Sequence, residues 1–311
     1  MGTDTGHLIK APLLKRISKK KMFYLFLLPA CLWTFIFCYI PMAGIAMAFN
    51  EFNPLGGLFG SPFVGLKHFR DFLSSDEFYV SLINTFRYNL IGLLVGFPMP
   101  IIFALLLNEI RFAKFKKSVQ TITYLPHFIS WVIIAVMVYR ILDYETGSLN
   151  SLISAFGGEP IAFMKKDKIF LPLVIGLGMW KELGWSSIIY LAAITGIDPQ
   201  QYEAATVDGA GRLKRLWHVT IPGMMPTVAL LLILSTAGIV SGGPFDAIMN
   251  LTNPYMADEA NILSYYTYLQ GILYRRFSYA TAVGLAQSVA AFVIVMGSNW
   301  LSKRISNYSA F

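Results

Sequence analysis

Apolar residues fall in six long runs, separated by short polar or glycine- and proline-rich stretches. The runs cover 22–49, 84–107, 118–142, 169–194, 223–240 and 280–301. Each is close to or above the about 20 residues with which a helix crosses the about 30 Å hydrocarbon core of a bilayer. The pattern predicts an all-α integral membrane protein with six transmembrane helices. Pro29 and Pro41 should kink or fray the first span, the second contains Pro98 and Pro100, and Ser241-Gly242-Gly243-Pro244 breaks the chain after the fifth. Between the first two runs, Leu66, Phe69, Phe72 and Leu73 recur at helical spacing in a charged stretch. They predict a helix lying on the membrane surface, which would also offer a docking surface to an external protein. No tandem repeat or low-complexity tract is visible, so the chain divides into a basic tail, 1–21, and one membrane domain, 22–311.

Composition agrees: 56% of the 311 residues are hydrophobic and 14% charged, which excludes an ordinary soluble domain. A net charge of +8 raises nucleic acid as a partner, but the cations sit beside apolar runs and not on one soluble face. Six spans place both termini on one side. The segments on that side hold fifteen of the 25 Lys and Arg residues, in the tail, in Arg111–Lys117, in Arg212–Arg215 and at Lys303 and Arg304. The opposite loops hold seven, so the positive-inside rule makes both termini cytoplasmic. Ala46-Met47-Ala48 has the small-residue look of a signal-peptide cleavage site, yet the run before it exceeds the about 7–15 residues of a signal sequence. Cys31 and Cys38 are about 10 Å apart along a helix, too far for a disulfide.

The stretch 198–222 is polar, basic and finely punctuated between two spans. Asp198-Pro199 is a helix start, since Asp accepts from orphan N–H groups and Pro tolerates the first helical position. That helix, through Gln200, Tyr202, Glu203 and Ala205, should end near Gly209, with a second helix over Arg212–Val219 leading to Pro222. Glu203-Ala204-Ala205, three residues, Gly209, nine residues, then Val219-Thr220-Ile221-Pro222 resembles the EAA loop of ABC-importer permeases. Val219 stands where the family pattern has Ile, and Ile221 where it has Leu. Asp208-Gly209-Ala210, FVGLKHF, YLPHFISWV, MWKELGW and FSYATAVGLAQSV are similar to the carbohydrate-uptake branch, in particular the subgroup for oligosaccharides from complex polysaccharides.

The resemblance implies a type I ABC importer permease fold in the bacterial cell membrane, with a cytoplasmic EAA coupling loop. It also implies a second permease subunit, two ATPase subunits that bind ATP and Mg, and an extracytoplasmic solute-binding protein. In the family the EAA helix sits in a cleft of the ATPase. Carried over, Tyr202 and Glu203 contact that subunit, Ala204 and Ala205 allow close approach, and Gly209 with Ala210 makes the turn. Asp208 either caps the next turn or touches the partner, and Pro222 sets where the membrane helix resumes.

No G-x-x-x-x-G-K-[S/T] pattern occurs, so the chain is expected to bind no nucleotide or other cofactor and to be no enzyme. Lys181 and Glu182 fall near the middle of the fourth span, where a charge costs about 2.5–3.5 kcal/mol and must face a partner or a watery cavity. Trp180, Lys181, Glu182 and Trp185 supply the polar and stacking groups that hold sugars; a structural ion pair with packed tryptophans is the competing reading. Gly176, Gly178 and Gly184 read as sites of close helix packing. Asn84 and Tyr88, and with them Trp131, Tyr139, Tyr190 and Gln287, are candidates for a substrate path. Tyr255, Tyr265, Tyr266, Tyr268 and Tyr274 in the last outer loop are candidates to contact a solute or its carrier. His7, His68, His127 and His218 lie in separate segments without ligand spacing, so no metal site is expected. The functional expectation is an ATP-driven oligosaccharide importer working by alternating access. The alternatives are an ion-coupled secondary transporter, with Lys181 and Glu182 as its coupling pair, and a permease for a non-sugar solute.

Overall fold

The computed structural model describes residues 21–306; Lys10, Lys15, Arg16, Lys19 and Lys20 of the basic tail lie outside the described residues. Helix α1 is Lys21–Phe49, α2 is Lys67–Leu73 and α3 is Asp76–Glu109. Then α4, Ala113–Phe128, bends by 98° into α5, Trp131–Leu142. The short α6, Ser148–Ala155, leads to α7, Asp167–Thr195. Helix α8, Pro199–Val207, precedes α9, Arg212–Val240. The chain ends with α10, Phe245–Leu251, α11, Leu263–Tyr268, and α12, Phe277–Ser306. Among the described residues α1, α3, α9 and α12 are long and apolar enough to cross a membrane, and α4 with α5 qualifies as one bent pair. With 29 residues α7 has the length, but Lys181 and Glu182 interrupt its apolar run.

The prolines coincide with departures from regular α-helix. A π-turn over Phe35–Tyr39 leads up to Pro41, one over Gly92–Gly96 to Pro98, and one over Leu216–Thr220 to Pro222. Proline offers no N–H and its ring crowds the carbonyl four residues back. Widening the preceding turn relieves that crowding without ending the helix. Helices α3 and α9 therefore run through Pro98 and Pro222, and Pro222 does not mark a restart of the membrane helix, whereas α1 leaves the α-helical path before Pro41 and goes on to Phe49 as a 3₁₀ helix. The second span likewise starts earlier than 84, at Asp76, with the Ser75 hydroxyl accepting from Phe78 N–H and Asp76 and Glu77 facing the positive end of the helix dipole. The expected third span, 118–142, is not one straight helix. Pro126 ends the N–H ladder, Leu125–Phe128 tightens to a 3₁₀ turn, and the Ser130 hydroxyl caps α5 by accepting from Ile133 N–H.

Three apolar clusters hold the bundle. Ala104, Leu107, Tyr190, Leu191, Ile194 and Met224 pack at the end from which α8 projects. Tyr88, Ile134, Phe170, Val174, Ile248 and Leu251 belong to a second cluster, on the far side of the α4–α5 break. Phe72 of α2 packs with Ala48, Phe78, Leu263 and Tyr279 in the third, so the amphipathic stretch is a helix sewn onto its neighbours. After α5, Asp143 accepts from both the backbone N–H and the hydroxyl of Thr146. Those bonds hold its carboxyl below the ordinary carboxylate range. The first residues of α1, Lys21 to Met42, are exposed along all faces.

Candidate functional site

Helices α3, α7 and α9 enclose a cavity of about 760 Å³. Tyr88 and Asn89 line it from α3, Glu182, Trp185 and Tyr190 from α7, and Ser235 from α9, with Gly243 and Pro244 at the break that follows α9. Most of the wall is apolar, so the few polar groups decide what it can hold. His127 Nδ1 is 2.9 Å from Glu182 Oε2, a hydrogen-bonding distance. The same imidazole lies flat on the Trp185 indole, with ring centres 4.3 Å apart and planes 3° from parallel. Phe128 meets Trp185 edge-on at 5.7 Å. The Tyr88 hydroxyl is buried with no hydrogen-bond partner. Asn89 Nδ2 donates to the carbonyl of Ile239 at 3.0 Å, which ties α3 to the last turn of α9.

Lys181, one residue from Glu182, points the other way. It is 7% exposed and donates to the carbonyls of Pro126 (3.4 Å), His127 and Ile129 (2.7 Å). The Pro126 carbonyl also accepts from Ile129 N–H in the 3₁₀ turn, whereas those of His127 and Ile129 lie at the α4–α5 break, where an unpaired buried carbonyl would cost about 1–3 kcal/mol. Lys181 and Glu182 therefore form no ion pair with each other, and the Lys181 ammonium is no part of the cavity lining. Asn84 is likewise diverted: its Nδ2 donates to the carbonyls of Asp258 (2.7 Å) and Asn261 (3.2 Å). Trp180 is exposed and lies outside the cavity wall. Of the six residues expected on a substrate path, the structure gathers Tyr88, Glu182 and Trp185 and directs Asn84, Trp180 and Lys181 elsewhere. Tyr190 joins the cavity; Tyr139 donates to the carbonyl of Leu251, Trp131 packs against the second cluster, and Gln287 Nε2 is buried without a partner.

Two residues escaped the sequence reading. His127 was weighed only as a metal ligand; its place beside Pro126 inside an apolar run was the available signal. Arg87, in the apolar run of α3, donates to both carboxylate oxygens of Glu259 (3.2 and 3.1 Å) and to Asn84 Oδ1. Of the tyrosines between α10 and α12, Tyr265, Tyr266 and Tyr274 line a second cavity of about 640 Å³ with Asp76, Glu77 and Asp258. Tyr268 stacks on Tyr265 at 6.4 Å, and Lys165 sits 5.7 Å over the Tyr255 ring. Among the described residues no group of three or more His, Cys, Asp and Glu could hold a metal.

At the other end of α7, three residues separate Thr195 from α8. The Asp198 carboxylate accepts from Gln200 N–H, and Pro199 is the first helical residue. Gly209 takes φ +74°, and the bonds Ala210 N–H to Ala205 C=O and Gly209 N–H to Thr206 C=O close the helix in a left-handed cap. Glu203, Ala204, Val207 and Asp208 are exposed. Tyr202 and Ala205 turn inward, and the Tyr202 hydroxyl is 3.0 Å from Thr220 Oγ1, fastening α8 to α9. Arg215 Nη1 adds a bond to Thr206 Oγ1 at 3.0 Å. Asp208 closes α8 through its backbone N–H, which donates to Ala204 C=O, while among the described residues its carboxylate caps no following turn.

Comparison with known proteins gives the same picture. Residues 96–307, more than half of the chain, match the family described as the binding-protein-dependent transport system inner membrane component. The polygalacturonan/rhamnogalacturonan transport system permease protein YteP of Bacillus subtilis (strain 168) is 44% identical over 292 residues, 94% of this chain and 91% of the relative. Protein LplB of the same organism is 39% identical over 295 residues, 95% of this chain and 92% of its own. A chain of the bacterial alginate ABC transporter, solved in complex with an alginate pentasaccharide-bound periplasmic protein, superposes with a TM-score of 0.86 at 39% identity. That match covers 96% of this chain and 99% of the other. The chain belongs to the family of binding-protein-dependent transport system inner membrane components.

Proposed function

We propose that the chain is the membrane-spanning subunit of an ATP-driven importer that carries oligosaccharides across the cell membrane by alternating access. The observation that carries this reading is the continuity of α7: its middle supplies Glu182 and Trp185 to the cavity, and its end passes within three residues into α8. A displacement of α8 is thus delivered to the cavity wall by a single helix. The exposed edge of α8, with Glu203, Ala204 and Val207, is the surface for a cytoplasmic ATPase, and Gly209 with Ala210 and Asp208 shapes its exit. Two such ATPase subunits would bind the ATP and Mg that this chain has no motif for, and a second permease subunit would complete the cavity.

Sugars suit the wall. The indole of Trp185 is a plane for the C–H face of a pyranose, Glu182 accepts from hydroxyls, and the Tyr88 hydroxyl awaits a partner. The names of the relatives, with polygalacturonan, rhamnogalacturonan and the acidic polysaccharide alginate, point to fragments of acidic polysaccharides as the substrate class. Counting α4–α5 as one broken span and α7 as another gives six, with α8 and both termini on the cation-rich, cytoplasmic side. Nothing favours ion coupling: Lys181 is taken up by carbonyls and Glu182 by His127.

Purification of the chain in mild detergent from its native membrane, followed by reconstitution in vesicles, tests the reading. A second permease and an ABC ATPase should come with it, and uptake of oligogalacturonide should need internal ATP and the external binding protein. Uptake by the chain alone, driven by an ion gradient without ATP, would overturn it.

A further inference from the structure

We infer that Lys181 is a positioning residue that clamps the broken stretch 125–130 onto α7 and so builds the cavity wall, rather than a residue that meets the solute. Three observations converge on it. The three N–H donors of the ammonium are matched to three carbonyls of that stretch, those of Pro126, His127 and Ile129. Three residues further along the same helix, Gly184 lets the part of α4 that leads into the stretch approach: a Cβ there would lie 2.3 Å from the carbonyl oxygen of Thr123. Between these two points of attachment His127 is held by its own backbone carbonyl, and from there its ring reaches Glu182 and lies on Trp185. Remove the ammonium, and the imidazole loses the anchor that keeps the indole oriented and the carboxylate paired. The charged and polar side chains that meet at this point are Lys181 and Glu182 from α7 and His127 from the break. The inference rests on the reading of the cavity as the solute path.

The test is a double-mutant cycle on the assembled transporter in nanodiscs, using oligogalacturonide presented by the binding protein. Lys181→Met and His127→Ala should each lower transport about tenfold, and the double variant should be no worse than either single one, because both remove the same arrangement. Hydrogen exchange over 125–131 should rise in Lys181→Met, while ATP hydrolysis without sugar stays within about twofold of the parent. Lys181→Gln, which keeps two donors and loses the charge, should recover both protection and most of the transport. Multiplicative losses in the double variant with unchanged exchange over 125–131 would overturn the clamp and return Lys181 to the solute. Should Lys181→Met fail to assemble, the Gln variant decides: low transport with normal exchange counts against the clamp. Trp185→Ala separates the two readings, since parent-like transport there removes the cavity itself, whereas a loss confined to Trp185→Ala removes only the clamp.

Discussion

A single added methyl group divides the glycines of α7 into two kinds. At Gly184 it would sit 2.3 Å from the carbonyl oxygen and 2.5 Å from the carbonyl carbon of Thr123, rigid backbone that cannot turn aside. At Gly176 it would meet nothing within 4 Å, and at Gly178 nothing but the cavity. Gly184→Ala should therefore cost about 1–3 kcal/mol through forced separation of α4 from α7, whereas Gly176→Ala should be neutral or gain up to about 1 kcal/mol of helix propensity. Thermal unfolding of the two variants in one detergent checks the difference, and equal midpoints would show that α4 yields freely. Trp185 carries a second expectation. Trp185→Ala should lower sugar transport about tenfold with normal assembly, and Trp185→Phe should restore part of it by keeping an aromatic plane; uptake assays on the reconstituted complex read this directly. Glu182 and Trp185 were visible in the sequence because a charge in the middle of an apolar run must face a partner or a watery cavity, and an indole nearby supplies a stacking surface. The sequence does not show where Lys181 is directed, for a physical reason: its partners are the backbone carbonyls of Pro126, His127 and Ile129, and a backbone group at a bend in another helix leaves no mark in side-chain chemistry. The same blindness made three helix-packing glycines of what is one.

At the scale of the element, the prolines teach a related lesson. Pro41, Pro98 and Pro222 each follow a π-turn; beyond Pro98 and Pro222 the α-helix continues, whereas at Pro41, where a kink or fraying is expected, the chain goes on as a 3₁₀ helix to Phe49. For α9 the consequence is mechanical. Because Arg212–Val240 is one body, the Tyr202–Thr220 and Arg215–Thr206 contacts fix α8 to a membrane-crossing helix as well as to the end of α7. The helix α8 itself was legible, since Asp198-Pro199 and Gly209 are local signals that act through backbone geometry alone. Its inward and outward faces were not, because Thr220, which claims Tyr202, lies 18 residues away. Two substitutions separate shape from surface. Gly209→Ala forces a side chain into φ +74° at a cost of about 1–2 kcal/mol and should shift the exit of α8. Glu203→Lys leaves the backbone alone and reverses an exposed charge. Both should lower recovery of the ATPase in a pull-down with the tagged permease, and only Gly209→Ala should also change proteolytic sensitivity around 207–212. A Glu203→Lys permease that retains its ATPase and transports normally would remove that residue from the contact.

Across the whole molecule, the bent pair α4–α5 decides the topology. If the pair turned back, 113 and 142 would face the same side and the chain would cross one time fewer. Its contacts along α7 argue for crossing: Thr123 lies against Gly184, whereas Ile134 shares a cluster with Phe170 and Val174. From residue 184 to residue 170 is about 20 Å along a helix axis, so the pair advances across most of a bilayer core despite its 98° bend. The Lys181 clamp fits the same picture, since an ammonium is needed only where water does not reach the freed carbonyls. Single cysteines, placed after Cys31 and Cys38 of α1 are changed to serine, can measure this in intact cells. Phe112, Ser154 and Gly211 are exposed positions before α4, within α6 and between α8 and α9. Ser154→Cys should react with a membrane-impermeant maleimide added outside, and Phe112→Cys and Gly211→Cys only once the membrane is permeabilised. If Phe112→Cys labels together with Ser154→Cys, α4–α5 is a re-entrant hairpin, and the cation-rich turn at 111–117 has been placed on the wrong face of the membrane.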